Sequence, residues 1–160
     1  MKGFRMLFVS VAIGLLSLST LAQGSASVVK VSPGESVYKI KRGGAVQVEV
    51  VIKVGEGYHI NSNRPLEKYL IATTLKIDRS PGLTVTPVVY PKAKLEKFEF
   101  SKKPLSVFEG KAVLKLTARA LSSLAPGAQY LKGKLMVQAC NNQQCLRPQS
   151  IDVNIPLQVE

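Results

Sequence analysis

Cys140 and Cys145 are the only thiols in the 160-residue chain, and four residues separate them in Gln138-Ala139-Cys140-Asn141-Asn142-Gln143-Gln144-Cys145-Leu146. The intervening residues are short amides with good turn chemistry, so the two thiols can meet across a tight loop and close a disulfide. In chain-entropy terms so small a ring contributes only about 2 kcal/mol, against about 4.7 kcal/mol for a loop of roughly one hundred residues. A cross-link placed for rigidity would join more distant segments. A hairpin staple is nevertheless an ordinary use of two cysteines in an exported protein, and spacing leaves both uses open.

Two further stretches carry reactive or contact-making side chains. Gly57-Tyr58-His59-Ile60-Asn61-Ser62-Asn63-Arg64-Pro65 concentrates the single histidine with amides and an arginine; its bland reading is a polar connection with His59 solvated or hydrogen-bonded. Tyr90 to Pro104 holds five lysines, two glutamates and the aromatics Phe98 and Phe100. A basic loop with two phenylalanines either packs them or offers them to a partner. A metal centre is not expected, because two cysteines and one histidine supply at most three ligands. No Gly-x-Ser-x-Gly turn, His-Glu-x-x-His helix or phosphate-binding glycine loop is present, and no cofactor is expected.

The elements that must position these residues read as strands. Lys134 to Ala139 alternates, with Leu135, Val137 and Ala139 on one face and Lys134, Met136, Gln138 and then Cys140 on the other, so Cys140 is expected to leave on the polar side. Val46 to Val54, Ala112 to Arg119 and Ile151 to Val159 alternate in the same way; Pro156 places the last at an edge or faces outward. Weaker strand candidates are Val37 to Lys41, Leu70 to Ile77, Leu83 to Val89 and Leu105 to Phe108, separated by turn signals such as Pro33-Gly34, Gly43-Gly44 and Ser80-Pro81-Gly82. The pattern predicts an all-β, immunoglobulin-like antiparallel β-sandwich. The cysteines are too close in sequence for the inter-sheet bridge of antibody domains.

Residues 1–26 have the layout of a secretory signal peptide: Lys2 and Arg5, an apolar run from Met6 to Leu21, then Ala22, Gly24 and Ala26 as possible cleavage positions. Residues 27–160 are then one domain, expected to be a periplasmic monomer. The formal net charge of +12 favours acidic partners or membrane surfaces. Export, few aromatics and no reading motif exclude nucleic acid.

Several stretches together resemble one family, the N-terminal periplasmic domain of the membrane thiol:disulfide interchange protein DsbD. They are Gly57 to Asn63, Val89-Tyr90-Pro91, Phe98-Glu99-Phe100, Val107-Phe108-Glu109-Gly110 and Val137 to Leu146, in the same order, across about Val31 to Val159. The resemblance implies an immunoglobulin-like sandwich whose cysteine pair, here Cys140 and Cys145, relays electrons to or from thioredoxin-fold periplasmic oxidoreductases. It implies a mobile cap loop with an aromatic over the cysteines, where Phe98, Glu99 and Phe100 fall. The His59 to Asn61 stretch would then lie beside the pair, and Tyr90 is a further cap or partner-binding candidate. Arg147 stands where many relatives have proline, and it adds a cation near Cys145. The family's membrane segment and thioredoxin-like domain do not follow in this sequence, so a separate membrane electron donor is expected. The alternative is a non-enzymatic immunoglobulin-like interaction module in which Cys140–Cys145 is a structural hairpin disulfide.

Overall fold

The computed structural model describes residues 24–160; residues 1–23, and with them most of the signal segment read above, lie outside the described residues. Twelve strands, numbered along the chain, form three four-stranded sheets. The first sheet runs β1 (Val29–Pro33), β3 (Ala45–Val54), β9 (Lys111–Ala120), β6 (Leu83–Val85). The second runs β2 (Tyr38–Ile40), β12 (Gln149–Val159), β10 (Gly127–Val137), β5 (Thr74–Ile77), and the third β11 (Ala139–Cys140), β4 (His59–Asn61), β8 (Leu105–Glu109), β7 (Lys94–Glu96).

Period-two patterning explains the first two sheets. Val48, Val50 and Ile52 of β3 stand opposite Leu116, Leu114 and Ala112 of β9, and all six are buried. From the second sheet Leu131, Leu135, Val153, Ile155 and Leu157 join the same core. Each such side chain contributes about 1.5–3 kcal/mol of burial, so this two-layer core anchors the all-β, immunoglobulin-like sandwich. One pairing departs from the antiparallel expectation: β12 and β2 run parallel. Pro156 faces outward, opposite Tyr130 of β10, and β2 joins the other side of the strand from Leu157 onward.

Shorter elements differ from expectation at their ends. The weak candidates contract to β2, β5 and β6, while β8 extends to Glu109. Two stretches that read as connections contain strands: Gly57–Pro65 holds β4, and the basic loop holds β7. β4 pairs with β8 and β11, far along the chain, and β7 pairs with the next strand, β8; both are three residues long, and their polar surroundings disguised them.

Strands continuing from the other two sheets build the third. A turn with Gly57 at φ 75° carries β3 into β4, and Gly110 alone, at φ 59°, joins β8 to β9. A residue with a Cβ is strained at such angles, so glycine is what permits these corners. Gln138 alone separates β10 of the second sheet from β11 of the third. The cysteine segment thus arrives at the end of the sandwich on the end of a long, well-anchored strand.

Candidate redox site

Register decides which side chains meet. Ala139 pairs with Ile60, which pairs with Phe108, and these three belong to the main core. Cys140 pairs with His59, which pairs with Glu109. Successive side chains alternate, so Cys140, His59 and Glu109 form a row across the opposite face of the third sheet. Asn61 and Val107 are paired beside them and share that face.

The expectation that Cys140 leaves on a polar side is corrected by this arrangement. Cys140 is 0 % exposed. Parity was right, but the same face carries Leu105 and Val107, which form a second hydrophobic cluster with Leu70 and Phe98, and Phe98 covers His59 beside Cys140. Cys145, on the returning arm, is exposed. The two are joined, S–S 2.08 Å, with their Cα atoms 3.9 Å apart.

The turn between them is an amide construction. Asn141 Oδ1 accepts from the Gln143 and Gln144 N–H groups at 2.9 and 2.8 Å, and the Asn141 N–H donates to the Gln144 carbonyl at 2.9 Å. The Leu146 N–H donates to the Ala139 carbonyl at 2.7 Å, and Leu146 is buried in the main core. Ser25, which sequence reading assigned to the signal region, closes the base. Its Oγ accepts from the Ala139 N–H at 2.9 Å and donates to the Arg147 carbonyl at 2.8 Å, while its own N–H reaches that carbonyl at 3.0 Å.

His59 is 1 % exposed, unlike the solvated side chain of the bland reading. Its ring lies on that of Phe98, centroids 3.8 Å apart and planes 18° from parallel. Phe100 stands 6.3 Å from His59 and 5.7 Å from Phe98. Among the described residues Nε2 has no hydrogen-bond partner. Burial holds the imidazole pKa down at about 4, opposed by the attraction of Glu109. A cleft of about 320 Å³, whose lining includes Glu56, His59, Phe98, Glu109 and Asn142, reaches the ring from outside.

Phe98 is carried by the loop between β7 and β8. The Ser101 N–H bonds the Phe98 carbonyl at 3.1 Å, Ser101 Oγ bonds the Lys103 carbonyl at 2.6 Å, and Lys97 Nζ reaches the Lys102 carbonyl at 2.8 Å. Phe98 is 8 % exposed and Phe100 37 %; Glu99 points outward. Asn61 is buried, its Nδ2 donating to the Ile71 carbonyl at 3.0 Å and to Gln138 Oε1 at 3.3 Å, and its Oδ1 unpartnered.

The remaining sequence candidates are placed differently. The Tyr90 hydroxyl accepts from the Leu75 N–H at 2.9 Å, and its ring packs on the main core. Among the described residues no hydrogen bond or ring stack joins Tyr90 to the cysteines, His59 or the cap. Arg147 is exposed, and its carbonyl accepts from the hydroxyl and the N–H of Ser25. Ser25, Gln138, Leu70 and Glu109 were not named as site residues from sequence, although Gln138 and Glu109 lie in stretches that carry the resemblance. Each belongs to the site through a partner far along the chain, which leaves no local signal.

Comparison with known proteins agrees with this geometry. The family described as "Thiol:disulfide interchange protein DsbD, N-terminal" matches residues 27–156. A sequence comparison with curated proteins finds no match. Among solved structures, the N-terminal periplasmic domain of ScsB from Proteus mirabilis superposes with a TM-score of 0.52 at 14 % identity, covering 79 % of this chain and 44 % of that one. The periplasmic chaperone SfaE gives a TM-score of 0.32 at 15 % identity, covering 82 % of this chain and 56 % of that one. The chain thus spans under half the length of the ScsB structure. With a bonded cysteine pair at the residues that carried the likeness and a match across most of the chain, this protein belongs to the DsbD N-terminal family of thiol:disulfide interchange domains.

Proposed function

We propose that this domain is an exported, periplasmic electron relay in which Cys140 and Cys145 exchange their disulfide with thioredoxin-fold oxidoreductases. The observation that carries the reading is the asymmetry of the pair: one sulfur sits on an exposed turn and the other on a roofed sheet face. Exchange needs a thiolate to approach one sulfur in line while the other leaves. Cys145 is the sulfur a partner can reach, and Cys140 is the leaving and resolving thiol. A staple has less to do here, because the Leu146–Ala139 and Asn141–Gln144 backbone bonds already close the hairpin. The cap loop, with Phe98 innermost and Glu99 and Phe100 on its outer side, is the part a docking partner displaces. Family membership supports the partner class.

The test is exchange between purified mature protein and a reduced thioredoxin-fold protein. Turnover is expected in the wild type and none in Cys140→Ser or Cys145→Ser. Cys140→Ser, left with one free thiol, should instead trap a mixed disulfide through Cys145 when offered the oxidised form of a partner lacking its own resolving cysteine, whereas Cys145→Ser should react with alkylating agents about 10-fold more slowly than Cys140→Ser. The midpoint potential should lie above about −300 mV, the region below which structural bridges usually fall. A lower potential together with full exchange by both single variants would rule the relay out.

A further inference from the structure

From the cross-strand row of Cys140, His59 and Glu109, we infer that His59 is the proton partner of Cys140 during exchange, with Glu109 orienting and compensating the imidazolium. The inference rests on the exchange function above. Residues directly opposed on antiparallel strands carry Cβ atoms about 4.5–5.5 Å apart on one face, which puts the imidazole beside the buried sulfur. Cys140 and His59 are opposed in this way, and so are His59 and Glu109. A thiol, an imidazole and a carboxylate in sequence are the parts of an activated nucleophile.

Burial makes such a partner necessary. When a partner thiolate attacks Cys145 Sγ, a bond forms between those sulfurs, the Cys140–Cys145 bond breaks, and the electron pair goes to Cys140 Sγ. That anion appears where water is excluded, at a residue 0 % exposed. An uncompensated charge there is costly. In the reverse direction Cys140 passes its proton to neutral His59 and attacks Cys145 Sγ; the disulfide closes and the electron pair departs with the partner's sulfur. The orphaned Nε2 leaves a nitrogen of the ring without a competing partner. The cleft lined by His59, Glu56 and Asn142 gives the proton a route to solvent.

The charged groups around His59 are consistent with this role. On β8 stands Glu109, itself paired with Lys94 of β7 at 3.3 Å. At the cleft mouth stands Glu56, and the cap loop brings Glu99 beside the two phenylalanines. Cys140, on β11, is uncharged while oxidised. In that state burial dominates and His59 is neutral at pH 7. Reduction places a potential anion next to it, and by linkage each group must then favour the other's charged form.

The reduced, untagged protein reacting with an aromatic disulfide such as dithiobis(nitrobenzoate) separates the steps. A first thionitrobenzoate is released as Cys145 attacks, and a second as Cys140 resolves. In His59→Phe, which retains an aromatic ring against Phe98, the ratio of second to first release rate should fall about 10-fold or more at pH 7, with its pH profile displaced upward. A ratio and profile equal to wild type would overturn the inference. If the wild type itself releases no second equivalent, exchange fails as well.

Discussion

A neutral imidazole at position 59 can be buried under Phe98, whereas burial there penalises an imidazolium more than Glu109 favours it. The folded pKa of about 4 lies below the ordinary 6.5. Between those values the unfolded chain binds more protons than the folded one, so stability falls as pH drops from about 6.5 to about 4 and levels off below. The full effect is at most about 3 kcal/mol. Urea unfolding of wild type and His59→Phe between pH 7.5 and 4 should show that loss in the wild type alone, since carboxylates common to both cancel in the difference. Parallel losses would show that burial does not hold His59 neutral. The residue type and the cysteine spacing were legible in sequence. The burial of His59 was not, because Cys140, Phe98 and Glu109 all reach it from remote strands.

Among the elements, the loop between β7 and β8 has the clearest division of labour. Phe98 belongs to the small cluster with Leu70, Leu105 and Val107 and stacks on His59, while Phe100 is more than a third exposed. Sequence named both phenylalanines and could not rank them, since only the third sheet's register shows which one lies over the row. Removing the Phe98 ring loses about 2–3 kcal/mol of burial and stacking that holds the roof closed. Phe98→Ala should therefore react with dithiothreitol about 10- to 100-fold faster than wild type, and Phe100→Ala only a few-fold faster. Equal rates for all three proteins would mean the loop does not guard the pair. The long strands β3, β9, β10 and β12 were legible from alternation alone. The three-residue strands β4 and β7 were not, because so short a segment carries no period.

At the scale of the whole molecule, the contacts of residues 24–26 bear on where a mature chain, exported as proposed above, would begin. Sequence offers cleavage after Ala22, Gly24 or Ala26, and the match to the family begins only at residue 27. Yet Gly24 bridges to Arg147, Ser25 is fully buried against the base of the cysteine hairpin, and the Ala26 N–H donates to Gln149 Oε1 at 2.7 Å. Cleavage after Ala26 would strip Ser25 Oγ from the buried Ala139 N–H, and an orphaned buried donor costs about 1–3 kcal/mol. Cleavage after Ala22 keeps every one of these bonds. Intact mass of the protein recovered from the periplasm should accordingly correspond to a chain beginning at Gln23. A form beginning at Ser27, made deliberately, should melt about 5–10 °C lower and react faster with small thiols, because the residue before Cys140 has lost its tether. If the native mature chain begins at Ser27 with undiminished stability, the tether is incidental and the hairpin is held by β10 and Leu146 alone.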